Sequence, residues 1–583
     1  MRPDQAFAAA LEHANAGRVE QAERLLRSIL QKSPAEPNAN TLLAMIHGSR
    51  GEDERALFYI SRAAAASPDP DTLFMHGNVL YLLRRHAEAA AVLGRALDQA
   101  PAHAQALDVY CKCRMTIGES DAAAAAFERA IAVEPHTPAL YSSLAWTLCE
   151  VARPDDAAAV LHRGLRACPN NRDLVMFAAC YLNFVETDPN MHRELHRRLA
   201  SFDAPAGAGP RVPVDNPDPQ RALRVAILSS DLRDHVCGTF LRPLVAHASG
   251  AGIELYLYAV VDQPDAWSAW FRERAAWRDV GALDAAALRA QCAHDRIDVL
   301  VECNGWTTGM RLAHLAAGAA PVQATYLGYP NTTGMPGIGW RLVDAATDPP
   351  GAEAHCTERL ARLDGCFLCY MPHEGDPAPA DRAPCEASGS VTFGSFNRAA
   401  KISARTVALW SRILARVPGS RLMLKSRVQS EALNRDIARR IASDGVDPGR
   451  IVFSPYAAAH ADHMALYRDL DVALDCVPYN GTTTTCEALA MGVPVITLAG
   501  SVHRARVGAS LLSAAGMPDL VAADDDAYVD LAASLGTDRA RLAQTRARLR
   551  AGLPGSTLLD AAGYARRFEA AMRGMWRDAC AQR

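Results

Sequence analysis

Five prolines constrain the first third of this 583-residue chain. Pro34, Pro68, Pro101, Pro135 and Pro169 follow one another at intervals of 34, 33, 34 and 34 residues. Twelve residues before each stands an alanine: Ala22, Ala56, Ala89, Ala123 and Ala157. Five residues before each stands Ile29, Ala63, Ala96, Ala130 or Gly164, small in four of the five cases. Gly17, Gly51 and Gly118 sit five residues before the first, second and fourth of those alanines. Small side chains let paired helices approach closely. Proline ends a helix because it cannot donate the intrahelical bond. Each unit leaves apolar surface that only its neighbour can cover, so the units must stack. The spacing predicts five helix pairs and a sixth, degenerate pair over 171–202.

These marks resemble the tetratricopeptide repeat, a helix–turn–helix unit of the same period. The predicted stack is a superhelix whose groove suits an extended peptide or a partner protein. A purely structural solenoid is the blander reading. The period also accounts for much of the alanine excess.

Half the residues are hydrophobic, 22% are charged and the formal net charge is -4. That excludes a mostly disordered chain. It also argues against a general nucleic-acid binder, which would need a basic excess to neutralise phosphates. The N-terminal stretch is interrupted by charges and has no apolar core of a secretory signal. The most apolar run, 488–502, is too short for a membrane span. Fifteen cysteines without a repeating spacing read as reduced thiols, and the expected location is the cytoplasm. Cys366 and Cys369 form one C-x-x-C, and no second pair stands at a zinc-site spacing, so no metal is expected.

Residues 204–220 carry five prolines and two glycines, which cannot hold a helix or a central strand. The helical period stops there and strand–helix alternation begins. Strand candidates are 224–231, 253–261, 297–303 and 322–329, then 391–397, 421–426, 450–456, 471–476, 494–499 and 520–524. A polar stretch, 372–390, separates the two series. Alternation of this kind predicts two parallel sheets covered by helices, with ligands beyond the carboxyl ends of the strands.

Three strand ends carry suitable chemistry. After the first strand come Ser229-Ser230-Asp231 and then His235, placed to act as base or to hydrogen-bond an acceptor hydroxyl. Alone, His235 also reads as a solvated loop histidine. Asn397 and Lys401 follow the strand 391–397, and Lys401 precedes a helix expected over 403–416. A lysine there can donate to a phosphate leaving group. Alone, it also reads as a surface lysine. Thr482, Thr483, Thr484, Thr485 and Glu487 follow the strand 471–476. Four hydroxyls at a helix N-terminus form an anion site, and Glu487 can accept ribose hydroxyls. A helix cap needs only one such hydroxyl. The chain has neither a P-loop nor a Gly-x-Ser-x-Gly elbow, and no acidic cluster stands out as a metal cage.

Together these segments resemble the O-GlcNAc transferase and SPINDLY family of protein O-glycosyltransferases. The matching stretches are RVAILSSDLRDH, DVLVECNGWTTGMR, APVQATYLGYPNTTGMPG, VTFGSFNRAAKI, SPYAAAHADHM, DVALDCVPYNGTTTTCEALAMGVPVITLAGSVHRARVGASLL and the terminal Met575-Trp576. The resemblance implies a GT-B fold of two Rossmann-like lobes behind a tetratricopeptide-repeat superhelix. It implies an inverting, metal-independent enzyme without a cofactor, moving a sugar from a nucleotide diphosphate to Ser or Thr of a protein. It matches His235 to a family histidine at the acceptor or sugar, and Lys401 to the lysine on the diphosphate. Thr483 and Thr484 match the threonines on the phosphates, and Glu487 the acidic ribose position. Tyr456 and Ala457 fall where backbone groups hold the nucleobase, and His463 matches the histidine just downstream. The general base stays open.

O-GlcNAc transferases carry His-Thr-Thr where this chain has Thr482-Thr483-Thr484, and a lysine near the base where Ala459 aligns. SPINDLY proteins read Gly-Thr-Thr-Thr-Thr-Cys-Glu, as here, which favours GDP-fucose over UDP-GlcNAc as substrate. A non-catalytic repeat scaffold with a degenerate transferase lobe is the alternative of another class. The expected partners are protein substrates along the repeat groove and the nucleotide sugar, with neither nucleic acid nor membrane, and with self-association through the repeats as a further option. The expected domains are a superhelix over 1–203, a linker over 204–222, an N-terminal catalytic lobe over 223–385, a nucleotide-sugar lobe over 386–560 and a final helix over 561–583.

Overall fold

A computed structural model describes the whole chain except residues 1, 205–211, 249–251, 426–429, 443–444, 456, 458 and 583. It divides into two compact units, one of residues 1–151, 159–169 and 428–439, the other of 152–158, 170–427 and 440–583.

The repeats are helix pairs: Pro3–Asn15 with Val19–Lys32, Pro37–Ser49 with Asp53–Ala66, Pro70–Leu82 with His86–Gln99, Ala104–Thr116 with Ser120–Val133, and Pro138–Glu150 with Pro154–Ala167. Each of the five periodic prolines stands two residues past the end of a second helix. All five marker alanines are buried. The close approach is steric: a methyl on Gly164 would sit 2.8 Å from Cγ of Tyr141 in the partner helix. The sixth pair, Arg172–Tyr181 and Pro189–Asp203, is joined by a single 3-10 turn at Leu182–Phe184 and belongs to the second unit.

Within each pair the chain reverses through a left-handed residue. Gly17, Gly51 and Gly118 hold φ of 73°, 71° and 80°, and the equivalent Arg84 and Ala152 hold 61° and 57°. In the first four pairs the next N–H bonds back five residues, as from Arg18 to His13 at 2.8 Å and from Arg85 to Leu80 at 2.9 Å. This helix ending satisfies carbonyls that the last turn leaves open.

The second unit holds two wholly parallel sheets. The first has strands β1 (Leu223–Ser229), β2 (Ile253–Ala259), β3 (Ala276–Asp279), β4 (Val299–Glu302), β5 (Val322–Thr325), β6 (Trp340–Asp344) and β7 (Arg359–Leu363), in the order β3-β2-β1-β4-β5-β6-β7. The second has β8 (Thr392–Ser395), β9 (Arg421–Lys425), β10 (Ile451–Ser454), β11 (Val472–Leu474), β12 (Val495–Leu498) and β13 (Val521–Ala522), in the order β10-β9-β8-β11-β12-β13. Every strand expected from sequence forms. Strands β3, β6 and β7 escape the sequence pattern; β3 and β7 are edge strands whose residues are mostly partly exposed, and Arg341 interrupts the apolar run of β6. Strand order reverses between β1 and β4 in one sheet and between β8 and β11 in the other. Such a reversal opens a crevice beyond the strand ends.

The last helix, Ala561–Ala581, returns to the first sheet and packs on β7, β5 and the helix Val236–His247. Tyr564 meets Tyr326 hydroxyl to hydroxyl at 2.5 Å, and the Trp576 indole N–H donates to the Asp218 carbonyl at 3.1 Å. No described helix is long and apolar enough to cross a membrane. No disulfide joins any of the described cysteines. Together these features make a tetratricopeptide-repeat superhelix followed by a two-lobed GT-B architecture.

Candidate functional site

The candidate residues sit at the two strand-order reversals. Beyond β8, residues Ala399–Lys401 make one 3-10 turn, and Ser403 caps the helix Ala404–Arg416 through its hydroxyl, which accepts the Thr406 N–H at 3.1 Å. The turn directs the Lys401 side chain toward the loop after β11. There its Nζ donates to the Asn480 carbonyl at 2.7 Å and lies 4.1 Å from the centre of the Tyr479 ring. Burial pulls the Lys401 ammonium down to about 8, against Cys476 and Asp475, which hold it up. Asp475 is buried, which raises its carboxyl to about 6. It accepts the Gly481 N–H at 2.6 Å and the Thr497 hydroxyl at 2.7 Å, and so shapes the loop.

Thr482 is the residue before the helix Thr483–Ala490. The first N–H groups of that helix have no carbonyl four residues back, so they remain open to an anion. The Thr484 hydroxyl donates to the Asn397 Oδ1 at 3.2 Å, which joins the β8 and β11 loops. The Thr483 hydroxyl is buried and has no partner among the described residues. Thr485 is buried beside Gly481, where a side chain would sit 2.8 Å from its hydroxyl. A buried hydroxyl without a partner costs free energy unless a ligand completes it.

Glu487 lies one turn further in. Its Oε2 accepts from the Tyr467 hydroxyl at 2.9 Å and meets the His463 Nε2 at 3.1 Å. The other face of His463 meets the Lys425 Nζ at 3.4 Å, at the end of β9. The structure thus brings Asn397, Lys401, His463, the four threonines and Glu487 onto adjacent loops of the second lobe. Ala457 is in the loop between β10 and the helix His460–Ala465. Tyr456 lies outside the described residues.

His235 ends the β1 loop of the first lobe. The following helix begins at Val236, and His235 is its cap: Nδ1 accepts the Cys237 N–H at 3.3 Å. Nδ1 also lies 3.4 Å from the Asp231 Oδ2. Asp231 is held by the Asn304 Nδ2 at 3.2 Å. Asn304 and Gly305 in turn donate their N–H groups to Glu302 at 2.7 and 2.8 Å. Burial raises the Glu302 carboxyl to about 7. Ligand atoms of Asp231, His235 and Cys237 lie within 4.8 Å of one another. Burial holds the Cys237 thiol well above its ordinary value, which favours the protonated form over a metal-binding thiolate.

Glu302, Asn304, Asp475 and Lys425 are the participants that sequence reasoning missed. One signal was available for the last. Lysine occurs only at positions 32, 112, 401 and 425, and two of those four stand at this site.

Comparison with known proteins identifies the family. The sequence pattern of glycosyl transferase family 41 matches residues 211–373 and 384–568. A Petunia hybrida protein named probable UDP-N-acetylglucosamine–peptide N-acetylglucosaminyltransferase SPINDLY is 38% identical over 369 residues, 62% of this chain and 40% of the relative. The Arabidopsis thaliana protein of the same name is 37% identical over 369 residues, with the same shares. The chain therefore aligns with well under half the length of these curated relatives. A solved structure of a mutant Thermobaculum terrenum O-GlcNAc transferase superposes with a TM-score of 0.73 at 32% identity, over 88% of this chain and 98% of that one. On its sequence and on its fold, this chain belongs to glycosyl transferase family 41.

Proposed function

We propose that this chain is a protein O-glycosyltransferase that moves a sugar from a nucleotide diphosphate to a Ser or Thr hydroxyl, with inversion and without a metal. The observation that carries the reading is the Lys401 ammonium, held by the Asn480 carbonyl beside a helix N-terminus whose Thr483 hydroxyl is buried and has no partner among the described residues. In the proposed reaction the acceptor oxygen attacks the anomeric carbon. The bond to the diphosphate oxygen breaks, and its electron pair stays on the phosphate. Lys401 and the open N–H groups of Thr483–Ala490 stabilise that charge, the work a metal does elsewhere. Glu487 and His463 hold the ribose side of the donor. His235 contacts the sugar or acceptor, and the base is not assigned. The repeats supply docking surface for protein acceptors. Cysteines without a disulfide among the described residues suit a reducing cytoplasm.

The Gly481–Glu487 loop favours GDP-fucose as donor. UDP-GlcNAc is the second reading, favoured by the names its relatives carry. Purified protein incubated with lysate and labelled GDP-fucose or UDP-GlcNAc discriminates them by which label enters protein. Label from neither donor, with no thermal shift by GDP or UDP, selects a non-catalytic scaffold. Lys401→Ala is expected to lose roughly 10²–10³ in transfer rate with its melting temperature kept. Wild-type turnover in that variant overturns the assignment.

A further inference from the structure

The connection between the two helices of the sixth pair reaches the Lys401 loop by two routes. Phe184, at the end of the 3-10 turn, stacks on Tyr479 with ring centres 5.4 Å apart and planes 24° apart. Tyr479 carries Lys401 on its ring. The second route runs through Arg504, which is 3% exposed. Its Nε donates to the Asn183 carbonyl at 2.9 Å, and its Nη2 reaches the Thr187 hydroxyl at 3.2 Å and the Val185 carbonyl at 3.4 Å. Its own carbonyl accepts the Asn480 N–H at 2.9 Å, and the Asn480 carbonyl holds Lys401. The same connection also grips the next element, since Glu186 pairs with Arg405 in the first turn of Ala404–Arg416.

We propose that Phe184 and Arg504 are positioning residues for Lys401, so that the last helix pair is a wall of the donor site rather than only the end of the repeat stack. The physical argument is preorganisation. An ammonium on a four-carbon stem loses much rotamer freedom when it is held in one place. Here an aromatic stack holds the ring beneath it, and a buried guanidinium holds the carbonyl in front of it. Arg504 satisfies its fork on two backbone carbonyls and a hydroxyl. It therefore fixes the distance between the connection and the loop at several points.

The inference rests on Lys401 facing the leaving group, as in the proposed function, but its test does not need turnover. With four lysines in the chain, protein labelled with [ε-13C]lysine gives a four-signal titration by NMR. The groups facing Lys401 are Asp475 and Cys476 at the end of β11, Arg398 in its own turn and Tyr479. None of them is changed in the variants. In Phe184→Ala and Arg504→Met, loss of the wall lets water reach the ammonium. The Lys401 midpoint is expected to rise by about one pH unit toward the ordinary lysine range, with Lys32 and Lys112 unmoved. Arg504→Gln, which keeps an N–H donor but not the fork and adds no lysine signal, is expected to restore part of the shift. GDP or UDP affinity is expected to fall about tenfold in the two disruptive variants. Circular dichroism identifies the variants that fold, and Phe184→Leu replaces any that do not. An unmoved Lys401 midpoint in folded Phe184 and Arg504 variants overturns the proposal. A shifted midpoint in a protein that binds neither nucleotide supports the positioning role and overturns the donor-site reading instead.

Discussion

Lysine and arginine total 61, and only four of them are lysine. Lysine suits the leaving-group position because its ammonium is a compact charge that responds to burial, whereas arginine stays charged and binds as a planar fork. Burial lowers the Lys401 value to about 8, a desolvation cost that a bound anion offsets. A second buried group titrates differently. His196 is fully buried, with Nδ1 against the His192 carbonyl and Nε2 against the Tyr329 hydroxyl, each at 2.6 Å. Burial depresses it from 6.5 to about 4. Between those values the unfolded chain holds a proton that the fold refuses. Stability is therefore lost as pH falls through that window, by on the order of 3 kcal/mol. Thermal midpoints measured from pH 7 to 4 should show that loss, and His196→Gln should flatten it. An unchanged slope in the variant would assign the acid limb to other groups. The role of His235 in sequence is only a position after a strand. Its cap to Cys237 and its contact with Asp231 depend on how the loop closes, which no spacing reveals.

The reversing turn of the repeats is a conserved conformation written with different residues within one chain. Gly17, Gly51 and Gly118 adopt it at little steric cost, while Arg84 and Ala152 adopt it against a Cβ clash of roughly 1–2 kcal/mol. Glycine repays part of that gain in the unfolded state. Arg84→Gly is expected to stabilise the array by about 0.5–1 kcal/mol, seen as a raised midpoint in urea. Gly51→Ala is expected to cost a similar amount. A lowered midpoint for Arg84→Gly would show that its side chain contributes more than its backbone costs. The period, the alanines and three of the five turns were legible because each repeat solves the same local problem. Strands β3 and β7 were not legible, because edge positions relax the demand for apolar residues that makes a central strand visible.

At the scale of the molecule the end of the chain supports the first lobe. Trp576 is 1% exposed, and the Arg221 guanidinium lies 4.6 Å from its ring centre. Trp576→Ala is expected to cost about 3–5 kcal/mol, as for large buried aromatics, and to appear as early melting of the first lobe. An unchanged melting curve would show that the helix Ala561–Ala581 is dispensable there. The Met575-Trp576 pair was visible in sequence, but its partner strands lie more than two hundred residues earlier.

Sequence alone determined the stack of helix pairs, the two α/β series and the loops that carry the chemistry, because periodicity and strand–helix alternation are local consequences of backbone geometry. Only the tertiary structure decided which strand ends meet, which loop carbonyl Lys401 rests on and which buried hydroxyl lacks a partner among the described residues. Strand order is set by nonlocal packing, and it is strand order that brings the β8 and β11 loops together at one crevice.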